Sequence, residues 1–213
     1  GSGSNRNLTI TPATNQSGTT TITLTVSDGA LTDTDTFILT VNAVNDAPTL
    51  ATVSNRTINA GQTLSITNTA TDPEVPASQS LTFTLLSFPT GATLNATSGL
   101  FTWRPGVNQA GTSNSIRVKA ADNGVPSLAA TQQFTVFVNP LVGPGVTSAT
   151  YSTGQMQFLI TGDLGPDYTV QATTNLSTWT NLLTTNSPTL PFYWTDTNAG
   201  SFLYRFYRVL LGP

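Results

Sequence analysis

The sequence predicts an all-β protein built from tandem β-sandwiches, the first of them incomplete. Three observations carry this expectation. Thr, Val, Ile and Leu recur at spacing two along most of the chain, the period of a half-buried strand, and no stretch shows the 3.6-residue period of an amphipathic helix. Clusters of Gly, Pro, Asn and Asp separate these runs at short intervals and supply the turns between strands. Asn45-Asp46-Ala47-Pro48 joins the end of one alternating strand to the start of another β-segment. The residues ahead of that joint suffice for about half of a sandwich, which needs about seven strands to close its core.

The first segment, residues 1–45, contains alternating runs at 8–11, 21–26 and 37–41, with turns at Asn15-Gln16-Ser17-Gly18 and Asp28-Gly29. Three such strands leave one apolar face wet and their edges unpaired. Leu8, Ile10, Ile22, Leu24, Val26, Phe37, Leu39 and Val41 are the apolar positions of these runs and the candidate assembly residues. Strands from another copy would cover them by strand addition, and a head-to-tail contact of this kind propagates a filament. Asp33-Thr34-Asp35 reads as a solvated hairpin loop.

The second segment, residues 46–140, is complete. Its strand candidates are 56–59, 63–69, 81–86, 92–95, 100–103, 115–121 and 133–138. Pro140-Leu141-Val142-Gly143-Pro144-Gly145 then forms a hinge into the third segment, residues 146–213. Strands are expected there at 146–151, 155–161, 168–172, 180–184, 191–196 and 203–210. All the Tyr residues and Trp179 and Trp194 lie in this last segment. In its final strand Tyr204, Phe206 and Arg208 alternate with Arg205, Tyr207 and Val209. Bulk on both faces suggests burial between layers or against a neighbouring domain.

Composition excludes several functions. Charged residues make up 8% of the chain, against about 25% in an average domain. The strand faces are therefore covered by neutral Thr and Asn, a surface suited to the cell exterior and prone to self-association. The net charge is −3 and Lys119 is the sole lysine, so a nucleic-acid or anionic-membrane partner is not expected. No apolar run is long enough to span a bilayer, and the start does not read as a signal peptide. There is no His and no Cys. That removes the common nucleophile–base pairs, thiol chemistry and His-ligated metals. Asp163 and Asp167 sit in a Gly-Pro turn and read as turn formers, so no catalytic residue is expected. Asn7, Asn15, Asn55, Asn95 and Asn175 begin Asn-x-Ser/Thr sequons, which permit glycosylation without implying it.

Val26-Ser27-Asp28-Gly29, the strand after it, and Val44-Asn45-Asp46-Ala47-Pro48 resemble the end of a bacterial cadherin-like, tandem immunoglobulin-like repeat. In the second segment the acidic loop Ala70-Thr71-Asp72-Pro73-Glu74 and the Asp122-Asn123-Gly124 turn continue the likeness. So do Pro89-Thr90-Gly91-Ala92-Thr93-Leu94 and Thr97-Ser98-Gly99-Leu100-Phe101-Thr102-Trp103, which resemble the immunoglobulin-like variant of the fold. The third segment resembles a C-terminal module of exported proteins from environmental bacteria, through residues 168–179 and Tyr204-Arg205-Phe206-Tyr207-Arg208-Val209.

The resemblance implies a non-enzymatic extracellular or cell-surface protein of structural or adhesive role. The alternative is a carbohydrate-binding or spacer tail of a larger secreted enzyme or adhesin. It also implies a calcium joint, with Asn45 and Asp46 at the linker, Asp72 and Glu74 in the acidic loop and Asp122 in the later loop. Ala43 replaces the usual Asp ahead of the linker. Trp179, Tyr193 and Trp194 either stack on a polysaccharide or fill the core of a small sandwich; the core reading is preferred because such a domain needs large side chains.

Overall fold

A computed structural model describes residues 6–74 and 79–212. In the first segment, strands β1 (Gly18–Ser27) and β2 (Thr32–Val41) form one antiparallel hairpin, in register from Gly18 opposite Val41 to Ser27 opposite Thr32. Residues 8–11 form no strand, contrary to expectation. Pro12 follows them directly, and proline removes a ladder donor and restricts the residue before it. Ile10 and Pro12 instead help line a groove of about 320 Å³ beside Leu39 and Val41.

The hairpin strands run longer than the apolar pattern suggests, because threonine also favours the pleat. Asp33 and Asp35 consequently lie within β2, opposite Val26 and Leu24, and not in a loop. The loop is Asp28 to Leu31, held by Asp28 Oδ1, which accepts the amides of Ala30 and Leu31 at 2.8 Å. Directly paired residues share a face. One face therefore carries Ile22, Leu24, Val26, Phe37, Leu39 and Val41, and the other is almost all threonine.

The second segment contains β3 (Thr49–Leu50), β4 (Arg56–Ile58), β5 (Leu64–Thr67), β6 (Ala70–Thr71), β7 (Thr82–Ser87), β8 (Thr93–Leu94), β9 (Leu100–Trp103), β10 (Ser113–Ala121) and β11 (Ala129–Val138). One sheet has the order β4-β11-β10-β7, with β4 parallel to β11, and the facing sheet has the order β5-β9-β8. The β3-β6 pair was not expected; two-residue strands leave no periodicity to read. Between the sheets Phe101, Trp103, Ile116, Val118, Ala120, Phe134, Val136 and Val138 are 1% exposed or less. Phe101 meets Phe134 edge to face at 5.8 Å, the arrangement aromatic quadrupoles favour. Turn asparagines hold the corners: Asn95 Oδ1 accepts the amides of Thr97 and Ser98.

The third segment is a smaller sandwich of β12 (Gly145–Ser152), β13 (Gln155–Thr161), β14 (Asp167–Thr173), β15 (Thr180–Thr185), β16 (Phe192–Asp196) and β17 (Phe206–Gly212). Its sheets have the orders β12-β13-β16 and β15-β14-β17. Phe158, Ile160, Tyr168 and Val170 form its centre, with Trp194, Tyr207 and Val209 packed against them. β17 is buried on one face only. Tyr207, Val209 and Leu211 point into the core, whereas Tyr204, Phe206 and Leu210 are exposed. The two-sided burial expected of this strand is not found, because the described residues place no layer over its outer face.

The second and third segments meet through backbone as well as side chains. Arg104 donates from Nε to the Gly61 carbonyl at 2.6 Å and from Nη2 to Asp167 Oδ1 at 2.7 Å. Asn59 Nδ2 donates to the Leu164 carbonyl at 3.0 Å. Gly61 and Gly165 both adopt positive φ, and a Cβ on Gly61 would run into the Gly165 carbonyl. Glycine is required there by close approach.

Candidate functional site

The N-terminal hairpin repeats the β10–β11 hairpin residue by residue. Ile22 lies opposite Phe37 as Ile116 lies opposite Phe134. Continuing from those pairs, Leu24, Val26 and Asp28 stand where Val118, Ala120 and Asp122 stand. Leu39, Val41 and Asn42 stand where Val136, Val138 and Asn139 stand. β1 and β10 end, and β2 and β11 begin, at matching pairs: Ser27 with Thr32, Ala121 with Ala129. The loops close alike too. Asp28 Oδ1 accepts the amides of Ala30 and Leu31, and Asp122 Oδ1 accepts those of Gly124 and Leu128.

The environments of the two hairpins differ sharply. Strands β5 and β9 cover β10 and β11, leaving the inner positions fully buried. Nothing among the described residues covers β1 and β2: Phe37 is 40% exposed and Val26 68%. The expected assembly residues of these strands thus do share a face, with Ile10 at its rim. Leu8 is exposed and belongs to no strand. Sequence reasoning did not find the repeat. The signal was present in the equal spacing of Ile22 to Asp28 and Ile116 to Asp122, but the longer loop after Asp122 masks it.

At the joint, the expected metal ligands separate into two groups. Asn45 Nδ2 donates to Asp122 Oδ2 at 3.0 Å and to the Pro126 carbonyl at 2.9 Å, while its Oδ1 accepts from Gln79 Nε2 at 2.6 Å. A Cβ on Gly124 would meet the Asn45 side chain. Burial alone would raise the Asp122 carboxyl, but the Leu128 amide, the Asn45 side chain and the Gly124 amide hold it below the ordinary value. These two residues have their polar atoms committed to one another, to the Gln79 side chain and to backbone.

Asp46, Asp72 and Glu74 form the second group. The neighbouring Asp72 carboxylate raises the Glu74 carboxyl above its ordinary value, helped by burial and by the charge of Asp46. Asp72 Oδ2 and Glu74 Oε2 are buried without a hydrogen-bond partner. Orphaned carboxylate oxygens suit a hard cation, which takes six to eight oxygen ligands. Among the described residues, however, no three acidic side chains converge closely enough to hold a metal ion.

The aromatic trio does not assemble. Trp194 stacks on Phe158 at 6.0 Å and packs in the core. Tyr193, its neighbour in β16, points to the opposite face and is 64% exposed. Trp179 lies under the Arg208 guanidinium at 4.1 Å. The sugar platform of Trp179, Tyr193 and Trp194 is thereby corrected: successive strand residues face opposite ways, so Tyr193 and Trp194 cannot form one surface.

Residues 47–139 match the family described as Putative Ig domain. Among solved structures, the chain is similar to human CDH23 EC21-23, with 18% identity and a TM-score of 0.46 over 71% of this chain and 58% of that one. It is also similar to protocadherin gammaB7 EC3-6, described as a cis-dimer, with 22% identity and a TM-score of 0.44 over 64% of this chain and 36% of that one. Mouse Cadherin-23 EC22-24 is similar at 24% identity and a TM-score of 0.44, over 58% and 42% of the two chains. The chain thus spans less than two thirds of the length of each of these chains. No curated protein sequence matches it.

Proposed function

We propose that this chain, whose middle sandwich belongs to the Putative Ig domain family, is a non-catalytic structural and adhesive protein of the cell exterior that assembles through its N-terminal hairpin. The observation that supports this reading is the repeat. The six inward positions of β10–β11 are fully buried, and the same positions of β1–β2 are not. Among the described residues nothing covers a face patterned for a sandwich interior. Strands of a second copy cover it, as β5 and β9 cover β10 and β11. Donor and acceptor surfaces differ, so the contact runs head to tail and propagates into a filament. Burying four of these side chains yields roughly 6–12 kcal/mol before ordering costs.

Light scattering and negative-stain microscopy of the chain test this. The unaltered chain is expected to polymerise with rising concentration, and Ile22→Asp or Phe37→Asp to return it to monomer. A strict monomer at high concentration, with the hairpin folded, would overturn the reading and favour a spacer within a larger protein.

The orphaned oxygens of Asp72 and Glu74 favour a second element of this reading, a calcium-stiffened joint in which these two carboxylates bind the ion and carbonyl oxygens and water complete its shell. A ligand bound only by the native state raises stability in proportion to its saturation. The melting temperature is expected to rise with calcium, to fall back with EDTA, and to lose both responses in Asp72→Asn. A calcium response that survives Asp72→Asn would place the ion elsewhere.

A further inference from the structure

The open face of the N-terminal hairpin carries charge as well as apolar bulk. Asp35 lies opposite Leu24 and Asp33 opposite Val26, so both carboxylates share the face with Phe37 and Leu39. Counting from the match of Phe37 with Phe134, Asp35 stands where Gln132 stands and Asp33 where Ala130 stands. Gln132 shows what that position meets in a covered hairpin. Its Nε2 donates to Asn68 Oδ1 at 2.9 Å, and its Oε1 accepts the Val53 amide at 3.1 Å. A carboxylate at the same place needs a positive group in its cover, because burial against neutral strands leaves the charge uncompensated. Strands β5 and β9 contain no charged residue. The cover of β1–β2 therefore differs in chemistry from that of β10–β11: it is apolar and carries a cation.

Among the described residues, the cations that lie in strands are Arg56, Arg117, Lys119 and Arg208. Only Arg208 has exposed apolar residues on both sides along its own face, Phe206 and Leu210. Its guanidinium rests on the Trp179 ring at 4.1 Å, and its Nε donates to Gln171 Oε1 at 2.7 Å. Neither Arg208 nor Asp33 nor Asp35 forms an ion pair among the described residues. We propose that the outer face of β17 in a second copy covers β1–β2, with Phe206 and Leu210 on its apolar positions and Arg208 against Asp33 and Asp35. This rests on the assembly reading above and adds the donor surface to it. Two sheet faces packed in this way restore a two-layer sandwich, and the opposed charges set its register and its choice of partner. The acceptor is the first hairpin and the donor the last strand. Each bound pair keeps one free surface of each kind, so the contact propagates.

Sedimentation velocity and light scattering of charge and apolar variants test the assignment. Arg208→Asp and Phe206→Asp alter exposed side chains, so circular dichroism is expected to show the fold intact. Each is expected to raise the concentration needed for assembly roughly a hundredfold, as losing one side of a desolvated contact does. Asp35→Arg is expected to do the same. Combining it with Arg208→Asp exchanges the two charges and is expected to recover about tenfold of the loss. An equimolar mixture of Phe37→Asp, which keeps the β17 face, and Phe206→Asp, which keeps the hairpin face, is expected to stop at dimers. Polymerisation that Phe37→Asp stops but Arg208→Asp and Phe206→Asp leave unchanged would sink the assignment of β17 and spare the assembly reading. A charge exchange no better than either single change, or a mixture that stays monomeric, would sink it too. A strict monomer of the unaltered chain would remove both.

Discussion

Phe134→Ala is expected to destabilise the middle sandwich by about 3–5 kcal/mol, the cost of emptying a buried aromatic position. Phe37→Ala, at the same place in the repeated hairpin, is expected to leave the unfolding of that sandwich unchanged and to weaken association instead. Phe134 is 1% exposed and packs on Phe101; Phe37 has no layer above it among the described residues and is 40% exposed. Urea unfolding followed by tryptophan fluorescence measures the first effect, since Trp103 is fully buried in the same core. Light scattering measures the second. Equal destabilisation by the two substitutions would mean that the hairpin packs within its own chain.

The second large effect lies in the C-terminal sandwich. Asp196→Ala removes the carboxylate beside Arg205 and the acceptor of the Tyr207 hydroxyl. A buried guanidinium left without its counter-charge costs about 3–5 kcal/mol. Thermal unfolding of that domain reads it, and a loss within measurement error would show that the pair is solvated. The same cluster sets an alkaline limit. Burial, the hydrogen bond to Asp196 and the Asp196 charge raise the Tyr207 hydroxyl to about 12 from the ordinary 10.0. The folded state therefore keeps a proton that the unfolded state releases. The associated stabilisation is fully present below pH 10.0 and is lost as pH rises towards about 12. Unfolding midpoints measured across that window are expected to fall more steeply in the unaltered chain than in Tyr207→Phe.

Much of the architecture was legible from alternation alone. The run 100–103 coincides with β9, and 155–161 with β13. β2 and β11 were read short, because β2 begins with alternating threonine and aspartate and β11 with small or polar residues that carry little alternation signal. Residues 8–11 alternate and yet form no strand, since a strand needs a partner as well as a pattern. At the candidate site, the apolar positions of the hairpin were identifiable by type. Which of the acidic joint residues are free was not, because Asn45 and Asp122 engage each other across distant parts of the chain. The third aromatic segment shows the same limit: Trp194 and Tyr193 are alike in composition, and only their opposite facing in β16 sends one to the core and the other to solvent.

The sequence by itself determined the all-β class and the alternation of the strands, because period and turn chemistry are local properties. Tertiary structure alone decided that β10–β11 is covered while β1–β2 has no cover among the described residues, and that Trp194 faces the core while Tyr193 faces solvent. Burial and pairing depend on residues far apart in the chain. Phe134 and Phe37 are alike as apolar strand positions in sequence, and only their neighbours in space make one 1% and the other 40% exposed.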